Sequence, residues 1–325
     1  MDSQARVRLR QLQRHLEQLY RQAAQSASQQ HRVALERLSE FEPDTTATVA
    51  QNEQQARLYI QQINRDTVHR DSWGRETSPG VIDSIVRDVS QASVSAGQAI
   101  ANESQAIFIQ GYQAETTNLN RQAAALGIFL AWRRYSQRDL RTVFGGSYIQ
   151  YAASGVGFEQ AMWQMLMDRS RSNDYFRIAL QRLGATDPIA TKIMNEFAAG
   201  IARGQGMPQL MRGIRNATDS ARYRAMRIAR TECLKSYNQG NMLGAYQAQY
   251  QHGLELNKTW HHTSGQENPR LMHEEIAGTT IPLDEYFVMS DGARLSYPLD
   301  SSAPVHHVVH CGCALSFKVV GMRTI

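Results

Sequence analysis

The character of the chain changes near His252, and this change constrains the fold more than any other feature. Before it, apolar residues recur at three- and four-residue steps, as in Leu9, Leu12, Leu16 and Leu19, which indicates amphipathic helices. After it, short runs such as LELNKTWHH and HHVVHCGCALSFKVV are separated by Gly, Pro, Asp and Ser, which indicates strands joined by tight turns. The sequence therefore predicts an α+β fold, with a large, mostly helical N-terminal region and a small C-terminal α+β domain.

The helical pattern divides into segments at its turn-forming residues. We predict a first helix over residues 7–41, which Pro43 ends, and a second to about residue 66 that Asp44, Thr45 or Thr46 caps. The segment HRDSWGRETSPG is a predicted loop. Further helices are expected at about 81–115, 119–143, 157–171, 173–184 and 188–204. A chain of 325 residues has room for two domains, and we place them at 1–183 and 184–325.

The cysteine count and the apolar segments indicate the kind of cellular compartment in which the chain is expected. The three cysteines, Cys233, Cys311 and Cys313, do not make a disulfide framework, so we expect a reducing compartment. The opening MDSQARVRLRQLQ has no apolar stretch, which predicts that no secretory signal is present. The longest apolar run, residues 123–132, is too short to cross a membrane, and we expect no membrane span.

An arginine-rich stretch precedes the change of character. Between Gly204 and Arg230 only Asp219 offsets the basic residues. One interpretation is contact with DNA phosphates, which is sequence-independent and salt-dependent. The other is a solvated basic face that meets an acidic partner, and the sequence favours neither. The candidate nucleic-acid-binding residues are Arg212, Arg215, Arg222, Arg224 and Arg227.

A candidate zinc site lies in the part of the chain after His252, which we call the tail. Cys311 and Cys313 flank Gly312 on a predicted strand, so both thiols are expected to point to one face. His273 is the third candidate ligand, and His310, or else His261 or His262, is the fourth. The alternative is that the two cysteines are small buried apolar residues, as free cysteines often are.

Some of the same residues allow an enzyme hypothesis. A histidine and a glutamate two residues apart, followed by paired cysteines, are typical of zinc deaminases. Here the cysteines stand one residue too close, and His310 stands where that motif has proline. The alternative function is therefore a zinc-dependent deaminase-like or other toxin or effector enzyme. Its residues would be His273, Glu275, Cys311 and Cys313.

Several short motifs follow one another in order between Gly184 and Phe317. They contain Arg230, Thr231, Glu232, Asn238, Gly240, Trp260, Arg270, His273, Gly278, Pro282, Phe287, Pro298, Cys311 and Cys313. In this order and spacing the segment resembles the Mu F-like phage head-morphogenesis (minor head protein) family. The chain departs from the family's Asn-Cys-Arg-Cys ending, because His310 and Gly312 replace the asparagine and the arginine.

The resemblance implies a structural protein that is not an enzyme. It implies a minor head (capsid) protein of a tailed bacteriophage that acts in head morphogenesis and is bound to the portal or the inner capsid. The implied partners are the portal protein and the major capsid or scaffold protein, with packaged double-stranded DNA as a further candidate. The implied location is the virion, at the capsid interior or portal vertex, and the host cytoplasm during assembly.

Elementary geometry gives these motif residues structural roles. Arg230 and Glu232 are two residues apart on a helix and face opposite sides, so they do not pair with each other. We expect one of them to bond the tail. Trp260 and Phe287 are predicted core aromatics, and Gly278 is a predicted turn residue.

Overall fold

The computed structural model describes residues 1, 3–130, 186–262, 270–300 and 302–322. Its helices there are α1 (Ser3–Gln30), α2 (Arg32–Leu38), α3 (Val49–Asp66), α4 (Val81–Ala125), α5 (Thr186–Ile201), α6 (Met207–His252), α7 (Leu271–Glu275) and α8 (Val305–Val308). Its strands are β1 (His69–Arg70), β2 (Glu76–Ser78), β3 (Leu254–His261), β4 (Thr280–Pro282), β5 (Phe287–Val288), β6 (Arg294–Leu295) and β7 (Ala314–Met322). The predicted α+β fold, with a helical N-terminal region and a small C-terminal sheet region, is confirmed.

The described residues form two compact units. One comprises residues 13–98 and 186–226, and is called the helical unit here. The other comprises residues 1–12, 99–130 and 227–322, and is called the sheet-bearing unit. The predicted domain boundary at 183/184 lies outside the described residues and stays a prediction. The same holds for the predicted helices at 157–171 and 173–184, and for most of 119–143.

The helical unit follows the apolar periodicity of its sequence. Leu16, Tyr20, Ile60 and Phe197 are at most 1% exposed. The hydroxyl of Tyr20 donates to Ser93 Oγ at 3.0 Å, which satisfies a polar group that burial would otherwise penalise. The packing of amphipathic helix faces therefore stabilises this unit.

Two local predictions in the helical unit are wrong. Thr48 caps α3 in a reciprocal capping box with Gln51, whereas Asp44 accepts hydrogen bonds from Thr46 in the preceding turn. The predicted loop after α3 contains the antiparallel hairpin β1–β2. Strands of two and three residues are too short to show the alternation that identifies a strand.

In the sheet-bearing unit, two glycines let long helices approach closely. A Cβ on Gly240 of α6 would lie 2.2 Å from the carbonyl oxygen of Phe108 and 2.7 Å from the amide nitrogen of Tyr112, both in α4. A Cβ on Gly111 would lie 2.4 Å from the carbonyl oxygen of Tyr237. Only glycine fits at either position, because the neighbouring atoms belong to the backbone.

A three-stranded antiparallel sheet of order β4-β3-β7 forms the centre of the tail. The strand β3 alternates between buried and more exposed residues, and it buries Leu254, Leu256, Lys258 and Trp260. The side-chain amide of Gln122, in α4, donates to Phe317 O at 3.0 Å and accepts from Val319 N at 2.9 Å. A helix side chain thus completes backbone hydrogen bonds along β7.

The buried lysine of β3 is an exception to the apolar core. Lys258 is fully buried, donates to Ser296 O at 2.9 Å and lies 5.5 Å from the ring centroid of Phe287. Burial lowers the pKa of Lys258 to about 8. The core of the tail therefore contains polar groups that need specific partners.

None of the helices in the described part of the chain combines the length and the apolar composition needed to cross a membrane.

Candidate functional site

One histidine and two cysteines meet inside the tail. The distance from His273 Nδ1 to Cys311 Sγ is 3.5 Å and that to Cys313 Sγ is 3.6 Å. All three side chains are at most 2% exposed. The structure thus brings together three of the four predicted metal ligands, and we call them the His-Cys-Cys cluster.

Three motif side chains fix the segment that carries the cysteines. The hydroxyl of Thr231 in α6 accepts from the backbone N–H of His310 at 3.0 Å. Asn238, also in α6, donates to the carbonyl of Cys313 at 3.2 Å and to that of Pro298 at 3.1 Å. The guanidinium of Arg270, which precedes α7, donates to Val309 O. These motif residues hold the loop 309–313 against His273.

The prediction that the cysteines lie on a strand is wrong. The strand β7 begins at Ala314, and His310 has a positive φ of 64°. The left-handed turn at His310, followed by a loop, directs both sulfur atoms inward, where a continuous strand was expected to do so. The backbone N–H of Cys313 also donates to the sulfur of Cys311 at 3.5 Å.

The predicted fourth ligands lie outside the cluster. His310 is exposed to solvent, and partial desolvation of its ring together with the nearby charges of Arg230, Arg227 and Arg270 lowers its pKa. His261 is exposed on β3 and shares a hydrogen bond with Ser316 Oγ at 2.7 Å. Neither these two histidines nor His262 belongs to the close group of ligand atoms among the described residues.

A second histidine and an aspartate extend the cluster. His273 Nε2 lies 3.0 Å from His307 Nδ1, and His307 Nε2 lies 2.9 Å from Asp291 Oδ2. His307 is fully buried. His306, which is exposed, also reaches Asp291 Oδ2, at 3.0 Å. A continuous series of hydrogen bonds therefore runs from the cysteines through two imidazoles to a carboxylate.

Hydrogen bonds lower the pKa values of the two groups at the ends of this hydrogen-bond series, Asp291 and Cys311. Hydrogen bonds from His306, the backbone of Ala293 and His307 hold the pKa of Asp291 well below its usual range. Hydrogen bonding with Cys313 and with His273 lowers the pKa of Cys311, despite its burial. By contrast, burial raises the pKa of Cys233, which lies outside the cluster, to about 12.

The sequence did not identify His307 or Asp291 as site residues. Neither stands at a spacing from His273 or the cysteines that indicates a shared site. The one available signal was the density of histidine, since seven of the ten histidines lie from His252 onward.

The geometry does not favour a deaminase. Glu275, the glutamate of that hypothesis, is exposed and is not among the close group of ligand atoms. The His-Cys-Cys cluster is closed to solvent, whereas a deaminase must admit a base to its metal-bound water.

The other motif residues have structural positions. Glu232 pairs with Lys235 of the same helix at 3.5 Å. The hydrogen bond from this motif to the tail is made by Thr231, which stands between Arg230 and Glu232 in the sequence. Trp260 and Phe287 pack edge to face in the core, with ring centroids 5.1 Å apart. Gly278 has a φ of 81° and donates its N–H to Trp260 O at 2.8 Å, as a turn residue.

The arginine-rich stretch lies on α6 and is unevenly exposed. Arg212, Arg215 and Arg227 are exposed, whereas Arg222 and Arg224 are half-buried. Arg222 forms an ion pair with Asp219 at 3.2 Å, and its Nη1 lies 3.9 Å from Glu17 Oε1. Part of the basic charge is therefore neutralised within the helical unit, and Arg212 and Arg215 are better candidates for phosphate contact than Arg222.

Comparisons with known proteins agree with the motif order. Residues 191–316 match the family model described as Phage Mu protein F like protein. The chain is also similar to the NAD(+)--arginine ADP-ribosyltransferase EFV of Enterococcus faecalis (strain ATCC 700802 / V583), with 27% identity over 103 residues. The match covers 32% of this chain and 21% of that protein, so the chain spans about a fifth of the length of this curated relative. No solved structure matches the chain.

Proposed function

We propose that the protein is a minor head protein of a tailed bacteriophage, because residues 191–316 match the Phage Mu protein F like family model. It acts in head morphogenesis as a structural component, bound to the portal protein or to the inner capsid. It is located in the virion, at the capsid interior or portal vertex, and in the host cytoplasm during assembly. The family match is the observation that carries this proposal.

The geometry of the domain supports a structural role. Its motif residues Thr231, Asn238 and Arg270 bond the backbone of the loop 309–313, so they stabilise the domain. The His-Cys-Cys cluster is at most 2% exposed, which leaves its nucleophilic atoms inaccessible to a substrate in this conformation. The proposed role therefore needs no reaction centre.

The likeness to an ADP-ribosyltransferase does not transfer that activity. The similar region makes up 21% of the transferase, which is consistent with one shared domain in proteins of different function.

We assign partner contacts to exposed surfaces. The helical unit presents Trp73 at the tip of its hairpin, 81% exposed, and a large exposed aromatic side chain is a typical anchor for a protein partner. The portal protein, and the major capsid or scaffold protein, are the proposed partners of this unit. Arg212 and Arg215 are the proposed contacts to packaged double-stranded DNA.

The test is the composition of phage particles. A phage with a stop codon in this gene is grown with and without the full-length chain supplied from a plasmid, and the particles are analysed by mass spectrometry. We expect the chain in purified heads at far lower abundance than the major capsid protein, and defective heads in its absence. Normal titres of particles that lack the chain would refute the proposal.

Partner contacts need point variants, because a truncation damages the core. Removal of residues 1–115 would delete Ile107, Phe108 and Tyr112, which are buried in the sheet-bearing unit. Trp73→Ala leaves that core intact, and Trp73→Phe is its matched control. We expect the alanine variant, and not the phenylalanine variant, to lose co-purification with the portal or capsid proteins. Unchanged co-purification of Trp73→Ala would remove the hairpin from the proposed interface.

A further inference from the structure

We infer that the His-Cys-Cys cluster binds one Zn²⁺ ion, and that Asp291 acts through His307 to position the ligand His273. The ligand atoms are His273 Nδ1, Cys311 Sγ and Cys313 Sγ, which lie within 4.8 Å of one another. Two thiolates and one imidazole are the donor types that zinc prefers in proteins. This inference does not depend on the proposed role in the phage head.

The distances within the cluster match zinc coordination. With Zn–S of about 2.3 Å, Zn–N of about 2.0–2.1 Å and a tetrahedral angle, a sulfur and a nitrogen ligand lie about 3.6 Å apart. The two measured separations from Nδ1 are 3.5 and 3.6 Å. The two nitrogen–sulfur separations therefore match those that a bound ion requires.

Two buried sulfur atoms approach the same imidazole nitrogen, and that of Cys311 also accepts from the backbone N–H of Cys313. A neutral imidazole nitrogen has one in-plane lone pair and accepts one good hydrogen bond. Two sulfur atoms stand at nearly equal distances from the same nitrogen, and both are buried. A single cation between the three atoms satisfies all of them at once.

The neighbouring hydrogen bonds determine the tautomer of His273. The carboxylate of Asp291 only accepts, so His307 Nε2 carries a hydrogen and donates it at 2.9 Å. In neutral His307 the other nitrogen, Nδ1, is then bare and accepts from His273 Nε2–H at 3.0 Å. In this tautomer the lone pair of His273 Nδ1 is directed at the two sulfurs, and a bound cation takes the place of the Nδ1–H that otherwise donates to a thiolate. This is the form that a metal ligand needs, and a carboxylate commonly sets it in zinc sites.

Three protein ligands leave one tetrahedral position, for which water is the simplest occupant. One buried donor nearby has no partner among the described residues, namely the indole N–H of Trp260. The ring of Trp260 packs edge on to His273, with centroids 5.4 Å apart. An uncompensated buried N–H is costly, and a small polar ligand in this core would compensate it.

Metal analysis of the full-length chain is the first test. We expect one zinc per chain after extensive dialysis, and with Co²⁺ in its place a visible spectrum that includes sulfur-to-cobalt charge-transfer bands. Cys311→Ser and Cys313→Ser should lose at least nine tenths of the bound metal. Cys233→Ser is the matched control, because this buried cysteine contacts Ser104 and lies outside the cluster, and it should keep full occupancy.

The role of Asp291 is tested by affinity. Asp291→Asn and His307→Gln should weaken zinc binding roughly 10–100-fold in competition with a chromophoric chelator, because outer ligand partners have effects of this size. His306→Gln is the control, because His306 contacts the same carboxylate but lies off the path to His273, and it should change the affinity less than about 3-fold.

A folded wild-type chain that binds no zinc when supplied with it would overturn the inference, as would full occupancy in Cys311→Ser. If the serine variants do not fold, zinc release on alkylation of the wild-type thiols decides the question. Release of one zinc as two thiols react supports the site, and alkylation without zinc release contradicts it. Equal affinities of Asp291→Asn and the wild type would refute the positioning role.

Discussion

The helical unit and the tail of the sheet-bearing unit are stabilised by different means. The helical unit buries apolar stripes of long helices, and its principal buried residues include Leu16, Ile60 and Phe197. The tail has strands of two to nine residues, and its interior contains histidine, cysteine, lysine and aspartate side chains beside Trp260 and Phe287. Apolar periodicity suffices where helices are long, whereas a small sheet needs specific polar bonds to hold its loops.

Removal of metal should show the largest difference between the two regions. A ligand present at about 1,000 times its dissociation constant stabilises the folded state by about 4 kcal/mol, so chelation should lower the melting temperature of the tail by about 10 °C. Differential scanning calorimetry with and without a chelator measures this. The transition of the helical unit should stay unchanged, and an equal shift of both transitions would contradict the contrast.

Gly240→Ala tests the close helix contact within the sheet-bearing unit. The added methyl group would lie 2.2 Å from the carbonyl oxygen of Phe108, so the helix backbones must separate. We expect a loss of about 3 kcal/mol in the free energy of unfolding, measured by urea denaturation. Gly200→Ala is the control, because its nearest neighbour is a side-chain atom at 3.5 Å, and it should be neutral or stabilising. Equal stabilities of the two variants would show that the contact is not tight.

Glu115 is a buried carboxyl group on the helix α4. Its titration tests whether a buried polar group on a long helix also affects stability. Burial raises its pKa from 4.5 to about 7, against a hydrogen bond from Asn118 that lowers it. Between pH 4.5 and 7 the folded chain therefore keeps a proton that the unfolded chain has lost, so this group's contribution to stability falls as the pH rises. Glu115→Gln should remove this slope and add about 3 kcal/mol at pH 8. Urea denaturation at pH 4.5, 6 and 8 measures it, with the exposed Glu36→Gln as control. Parallel profiles for Glu115→Gln and the wild type would refute the assignment.

The arginines of α6 should show the smallest effects. If Arg212 and Arg215 contact phosphate, replacing either with glutamine should reduce the slope of log affinity for double-stranded DNA against log salt by about 1. Arg222→Gln should change it less, because Arg222 is paired with Asp219 at 3.2 Å. Fluorescence anisotropy between 50 and 200 mM salt, roughly the range where phosphate contacts dominate, measures the slopes. Equal slopes for all variants would favour an acidic protein partner for this face.

Sequence periodicity located the long helices and the strands β3 and β7, but not all of their bounds. The predicted helix over 7–41 is the two helices α1 and α2, and α4 continues through the predicted break after residue 115. Periodicity failed where one or two residues decide the conformation, as in the Thr48 cap, the β1–β2 hairpin and the short helix that carries His273. The grouping of His273, Cys311 and Cys313 was predicted from residue type, because thiolate and imidazole are the donors that zinc prefers. His307 and Asp291 were not predicted as site residues. They stand 34 and 18 residues after His273 in the sequence, so only the tertiary packing brings them to it.

The most direct test of the proposed metal site in the tail is hydrogen exchange on the full-length chain. With zinc bound, the amides of β3, β7 and the loop 309–313 should be protected, and chelation should speed their exchange while α3 and the first half of α4 stay unchanged. Identical exchange in the tail with and without metal would contradict the account.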